Sequence, residues 1–191
     1  MFTNQKLKQL IIPLVIEQIL AVLVGMADIM MVSSVSEAAV SGVSLVDSIS
    51  ILIINIFAAL ATGGAVVAAQ YLGRQQEEQA CFSAKQLILC TTVISAVIMV
   101  AFLLFGQPLI SLIFGKVEPE VLSSAQTYLF ITSMSYPFIA LYNSCAALYR
   151  AMGNSRISMV TSLIMNSLNI AGNALLIYGF GMGVEGAAIP T

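Results

Sequence analysis

The chain alternates between long uncharged apolar stretches and short polar interruptions. Ser48–Gly73 runs 26 residues without a charge, Gln86–Gly115 runs 30, Val121–Tyr149 runs 29 and Ile157–Val184 runs 28. A helix crossing hydrocarbon needs about 20 mostly apolar residues, so each stretch is long enough. A fifth segment, Leu10 to Ser33, is equally apolar but carries Glu17 and Asp28. Lys6 and Lys8 precede it as they would a secretory leader. Its length, its two carboxylates and the lack of an A-x-A site read instead as a span. The pattern predicts an all-α integral membrane chain with five complete transmembrane helices, at 10–33, 45–71, 86–114, 121–148 and 157–180. A sixth begins at 184, and the chain stops at Thr191 within that element, so residues 1–191 form one unit. Turn residues fill the expected connections Ser33–Ser41, Gly73–Lys85, Gly115–Glu120, Gly153–Arg156 and Gly179–Gly186.

Composition agrees with that picture. Hydrophobic residues make up 59% and charged residues 8%, and the mean hydropathy is +0.99. A soluble domain carries about 25% charged residues, so this chain cannot cover a water-facing surface. The net charge of −2 offers nothing to a polyanion, and no nucleic-acid partner is expected. There is no His, which removes the commonest general base and the commonest metal ligand together. Cys81, Cys90 and Cys145 lie far apart and read as apolar filler. Phosphate loops, nucleophile–base pairs and metal-ligand spacings are not found, so neither an enzyme nor a resident cofactor is expected.

The basic residues set the expected orientation. With a cytoplasmic N-terminus, Lys6, Lys8, Arg74, Lys85, Arg150 and Arg156 fall inside and only Lys116 falls outside. This predicts a multi-pass protein of the cytoplasmic membrane, in contact with lipid throughout.

Polar residues within the spans carry the candidate chemistry, because each costs free energy in hydrocarbon unless it faces protein or water. Ser158, Ser162, Asn166, Asn169 and Asn173 fall at steps of 4, 4, 3 and 4 and form one stripe on the fifth span. Such amides serve either as helix–helix bonds, worth about 0.6–2 kcal/mol each, or as ligands for a cation or substrate. Glu17 and Asp28 are 11 residues apart, close to three turns, and share one face of the first span. They stand about 16 Å apart along the axis, too far to pair with each other. Glu17 reads equally well as a bond to a neighbouring helix or as a functional group. Asp28 matches the depth of Asn169 and Asn173, which favours function. Asp47, Asn55 and Thr62 lie roughly on one face of the second span, and Thr132, Tyr136 and Asn143 on one face of the fourth. Ala61, Ala65 and Ala69 read as a close-packing ladder. The third span has scarcely any polar stripe and reads as lipid-facing scaffold. Pro13 and Pro137 are candidate kinks.

Four segments, in order, resemble the multidrug and toxic compound extrusion (MATE) transporters. They are IIPLVIEQILAVLVGMADIMMVSSV, ATGGAVVAAQYLGRQQEEQA, ALYRAMGNSRISM and NSLNIAGNALLIYGFGMGVEGAA. The resemblance implies one lobe of a twelve-helix, two-lobe transporter arranged around a central cleft. It implies export of amphipathic, often cationic drugs in exchange for Na⁺ or H⁺, with a carboxy-terminal lobe or second chain as partner. The family's amino-lobe cation site would map onto Asp28, Asn169, Asn173 and Thr191, with Na⁺ placed at Asp28 and Asn169. Asn166 and Glu17 extend the list of candidate ligands, and Pro13 matches the proline about which the opening helix bends. Asn173 departs from the branch that has an aspartate at that position, and Val32-Ser33 stands where Val-Gly is usual. Two further expectations are a transport-inactive fragment or half-transporter needing a partner chain and, ranked lowest, a relative of the lipid-linked-sugar flippases. The flippase reading ranks last because nearly all Lys and Arg sit in loops.

Overall fold

A computed structural model describes residues 4–191, with side chains described from Ile11 onward, so the side chains of Lys6 and Lys8 lie outside the described residues. The helices are α1 (Asn4–Ser33), α2 (Glu37–Gly73), α3 (Glu77–Phe114), α4 (Pro119–Ser133), α5 (Tyr136–Ala151), α6 (Ser155–Ala174) and α7 (Val184–Ala188). A π turn, Leu175–Gly179, extends α6. Four helical segments among the described residues are long and apolar enough to cross a membrane: Ile11–Ser33, Glu37–Gly73, Glu77–Phe114 and Ser155–Gly179.

The connections are shorter than the charge pattern suggested, because the helices continue through their polar ends. Ser36 caps α2 by accepting the Ala39 amide at 3.0 Å, and Glu37 occupies the first turn, where the helix dipole favours an acid. Glu77 and Glu78 do the same for α3. Between these helices, the Gln76 amide donates to Tyr71 O at 3.0 Å and the Gln75 amide to Leu72 O at 3.0 Å. That pairing closes α2 with Gln75 in the left-handed region (φ 60°). Gly153 (φ 80°) closes α5 in the same way.

The fourth expected span, 121–148, is two helices rather than one. Pro137 has no amide proton, and its ring excludes the carbonyl four residues back, that of Ser133. The chain tightens there, with Met134 and Ser135 amides reaching back three residues to Ile131 O (3.2 Å) and Thr132 O (3.0 Å). The Ser135 hydroxyl adds a bond to Thr132 O at 2.7 Å. α3 bends at Phe105 (φ −118°, ψ 15°), and Pro108 denies its carbonyl neighbour Leu104 a partner in the same way. α1, by contrast, runs unbroken through Pro13.

α2 is the central post, packed against α3, α4 and α5, while α1 leans chiefly on α6. Three apolar clusters stack along it. Val43 and Val46 meet Ile110, Ala125, Leu129 and Ala187 at one end. Ile49, Ile53 and Phe57 meet Tyr136 and Ala140 in the middle, and Ala61 and Ala65 meet Leu87 and Ala147 at the other end. Gly42 lets α2 and α4 touch backbone to backbone, since a Cβ there would stand 2.8 Å from Ala125 N and 2.9 Å from Val121 O. The third span is less plain than its sequence suggested. Thr91 and Ser95 are buried, and the Thr91 and Ser144 hydroxyls meet at 2.8 Å to tie α3 to α5. The Thr91 and Ser95 hydroxyls also bond back to their own helix, at Leu87 O and Thr92 O respectively (2.9 Å each), which hides their polarity from a periodicity count. The outward face is apolar, with Leu112, Phe138 and Leu104 exposed, as contact with hydrocarbon requires.

Candidate functional site

The polar stripe of α6 faces protein. Ser158, Ser162, Asn169 and Asn173 are buried and Asn166 is half-buried, because α1 lies along that face. Two separate clusters form where the two carboxylates of α1 meet it.

The first lies toward the C-terminal end of α1. The Asn173 amide nitrogen donates to Asp28 Oδ1 at 2.7 Å and to Asn169 Oδ1 at 3.3 Å. Asn169 in turn donates to Thr191 Oγ1 at 3.1 Å, and the Thr191 hydroxyl donates to Ala187 O at 2.8 Å. Three helical elements thus converge: α1 supplies Asp28, α6 the two amides, and the segment after α7 supplies Thr191. Gly172 sets the last of these. A Cβ there would stand 2.7 Å from Pro190 Cβ, so the missing side chain lets Pro190 seat against α6 and presents Thr191 to Asn169. Asp28 is half-buried and forms no ion pair among the described residues. Asn173 is 1% exposed, and its Oδ1 is buried with no donor. A buried acceptor left without a donor is costly, and a cation or a proton donor relieves that cost. Carboxylate, amide and hydroxyl oxygens make a hard donor set suited to a cation such as Na⁺, and the carboxylate suits H⁺.

The second cluster lies three turns earlier on α1. Glu17 accepts the Tyr142 hydroxyl at 3.2 Å and the Ser158 hydroxyl at 2.9 Å, and Arg150 Nη1 stands 3.8 Å from its Oε1. Arg150 Nη1 also donates to Ser158 Oγ at 3.0 Å. This is the one ion pair among the described residues. The structure therefore places Glu17 away from Asp28 and beside its own cation. Asn166 joins neither cluster, and its amide reaches Ser162 Oγ at 3.3 Å.

Two residues outside the expected set belong beside the first cluster. Tyr128 of α4 is 4% exposed and shares an apolar cluster with Val43 and Val46, which stand beside Asp47 on α2, and with Ala187 and Ala188 of α7, shortly before Thr191. Asp47 was legible as a lone acid in a span, but its stripe-mates Asn55 and Thr62 are exposed. Tyr128 carried no sequence signal, since a buried aromatic on a helix is ordinarily core. Of the fourth span's stripe, Thr132 and Tyr136 are buried. Thr132 bonds Tyr128 O at 2.8 Å, and the Tyr136 and Ser50 hydroxyls meet at 3.3 Å. Asn143 satisfies itself on Ile139 O at 3.0 Å. Among the described residues, no group of three His, Cys, Asp or Glu gathers as a metal centre.

Residues 13–175 match the family model MatE. The Bacillus subtilis protein described as uncharacterized transporter YisQ is 31% identical over 183 residues, covering 94% of this chain and 40% of its own length. A probable multidrug resistance protein NorM of Thermotoga maritima is 30% identical over 195 aligned residues, covering 98% of this chain and 41% of its own. An outward-facing conformation of a multidrug resistance MATE family transporter superposes with a TM-score of 0.90 at 24% identity, covering 97% of this chain and 41% of that one. At that identity the superposition speaks to fold alone. The chain spans about two fifths of the length of the relatives it matches.

Proposed function

The chain belongs to the MATE family of multi-pass membrane transporters, as its amino-terminal lobe, and from that premise we propose that it serves cation-coupled export of amphipathic organic cations across the cytoplasmic membrane. The observation that supports this reading is the Asp28 cluster, a carboxylate within a spanning helix that contacts Asn173 and has no cationic partner among the described residues. The orientation rests on Lys and Arg placement and puts this cluster in the outer half of the bilayer. A second lobe, in the same chain or another, completes the cleft and supplies its opposite wall. The arrangement is that of a transporter family rather than an enzyme family.

The mechanism follows from charge. An unpaired carboxylate held away from water gains free energy from whichever cation neutralises it. Na⁺ or H⁺ and a cationic substrate compete for that one negative site, so occupancy by one favours release of the other. Neutralised Asp28 no longer attracts the Asn173 amide as strongly, and the outer half of α1 loosens from α6. Each ligand then shifts the balance between inward-open and outward-open packing by its differential affinity for the two. Pro13 lies at the opposite end of α1, where the missing backbone hydrogen bond makes a bend least costly.

Asp28→Asn tests the reading directly. The amide keeps the size and one acceptor but removes the charge, so ethidium efflux from cells is lost while the amount of protein in the membrane is unchanged. Undiminished efflux in that variant overturns the assignment.

A further inference from the structure

The first cluster contains one acid and its amides, yet a second acid looks into it from α2. Asp47 is half-buried among Val43, Val46 and Tyr128, three residues of the apolar cluster at that end of the bundle. The charged and titratable groups that face it are Asp28 from α1, Tyr128 from α4 and Tyr136 from α5. No basic residue is paired with it, since the one ion pair among the described residues is Glu17–Arg150. A phenol hydroxyl serves one of a carboxylate's roughly four lone-pair sites, so Tyr128 cannot replace the water that Asp47 has lost. Burying two like charges within mutual reach is unfavourable unless something positive offsets them. Within the same cluster Asn173 is 1% exposed as a residue and its Oδ1 accepts from no protein donor, so it is an acceptor free to serve a cation or a proton donor. Tyr128 stands between the two acids' surroundings, because it packs with Val43 and Val46 beside Asp47 on one side and with Ala187 and Ala188 on the other, next to Thr191, itself bonded to Asn169.

We propose that Asp47 is a second ion-binding carboxylate of this site, so that the lobe takes up two positive charges, one at Asp28 and one at Asp47. Their chemical class is the proton or a small monovalent metal cation. The inference rests on the reading of Asp28 given above and extends it from one coupling charge to two. Tyr128 is a positioning residue that ties the second charge to Thr191.

The test uses the complete gene product, purified in detergent and equilibrated with ²²Na⁺ in weak buffer. Tetraphenylphosphonium is added, and the Na⁺ released is counted while an indicator dye reads the protons released. Asp47→Asn and Asp28→Asn each lower the total positive charge released per bound tetraphenylphosphonium by about half, and Asp47→Glu restores it. Asp28→Asn lowering the release while Asp47→Asn leaves it unchanged overturns the inference and spares the reading. No change in either variant overturns both. The unaltered protein provides a check that needs no variant. A Hill coefficient above one for ion competition supports two charges, and a coefficient of one with a single charge released refutes them.

Discussion

α1 presents two carboxylates to the same face of α6, and their surroundings differ in one decisive respect. Glu17 receives two hydroxyl donors and stands 3.8 Å from an arginine, with the side chains of Arg150 and Glu17 27% and 19% exposed. Asp28 receives an amide and no cation. The first arrangement is neutral overall and holds α1, α5 and α6 together. The second has no such cation among the described residues, and its neighbour Asn173 keeps a buried oxygen without a protein donor. A polar group inside a membrane helix is therefore not informative by itself. Whether its partner set is complete separates a clasp from a binding site.

The sharpest way to break that comparison is to unbalance the clasp. Arg150→Ala strands Glu17, and the loss of a charge-assisted network that is partly exposed costs about 1–3 kcal/mol. A lowered melting temperature in detergent reads this out. Glu17→Gln combined with Arg150→Ala recovers most of the loss, because no charge is then stranded. Asp28→Asn behaves in the opposite way, with an unchanged or higher melting temperature, since it removes a charge that nothing offsets. An Asp28→Asn protein that melts as early as Arg150→Ala would mean that both acids are structural.

A smaller effect sharpens the geometry of the proposed ion cluster without altering a candidate ligand. Gly172→Ala pushes Pro190 off α6, and a close-packed contact resists by about 1–3 kcal/mol or yields by shifting the chain. Either response moves Thr191 relative to Asn169. The apparent affinity for the coupling ion weakens about tenfold, the equivalent of about 1.4 kcal/mol, in an ion-dependence curve of efflux. Gly25→Ala is the control on the same helix pair, because a Cβ there meets nothing within 4 Å.

The fold was legible to the extent that hydrocarbon dictates it. Uncharged length located the long helices, since nothing else crosses a bilayer with its backbone satisfied. Two features escaped that count. Pro137 marked a kink, but whether the fourth span bends or splits depended on whether Met134 and Ser135 found partners three residues back. The helix ends ran past the expected loops because Ser36 caps α2 and the acids Glu37 and Glu77 occupy the first turns of α2 and α3, local effects that hydropathy does not see. The candidate site was legible on α6, where two serines and three amides at steps of 4, 4, 3 and 4 form one polar stripe. Asp28, Asn169, Asn173 and Thr191 come together in the structure. What the sequence could not reveal is what each acid faces across the bundle. Arg150 sits 133 residues from Glu17 and Tyr128 sits 81 from Asp47, and no periodicity joins positions on different helices.

Asn166 tests whether the stripe works as two clusters or as one continuous polar path. It occupies the step between Ser162 and Asn169 on α6, half-buried, and its amide reaches only Ser162 Oγ at 3.3 Å. If the ion site and the clasp are independent, removing this side chain strands no charge and leaves one serine without a weak bond. Asn166→Ala then lowers stability by about 0.5–1.5 kcal/mol at most, and efflux and ion affinity stay within about twofold of the unaltered protein. A tenfold loss of ion affinity would instead mean that ions pass along the stripe from the Glu17 end to the Asp28 end. The amide at Asn166 would then be a way-station, and the complete partner set around Glu17 would be one state of a moving charge rather than a permanent clasp.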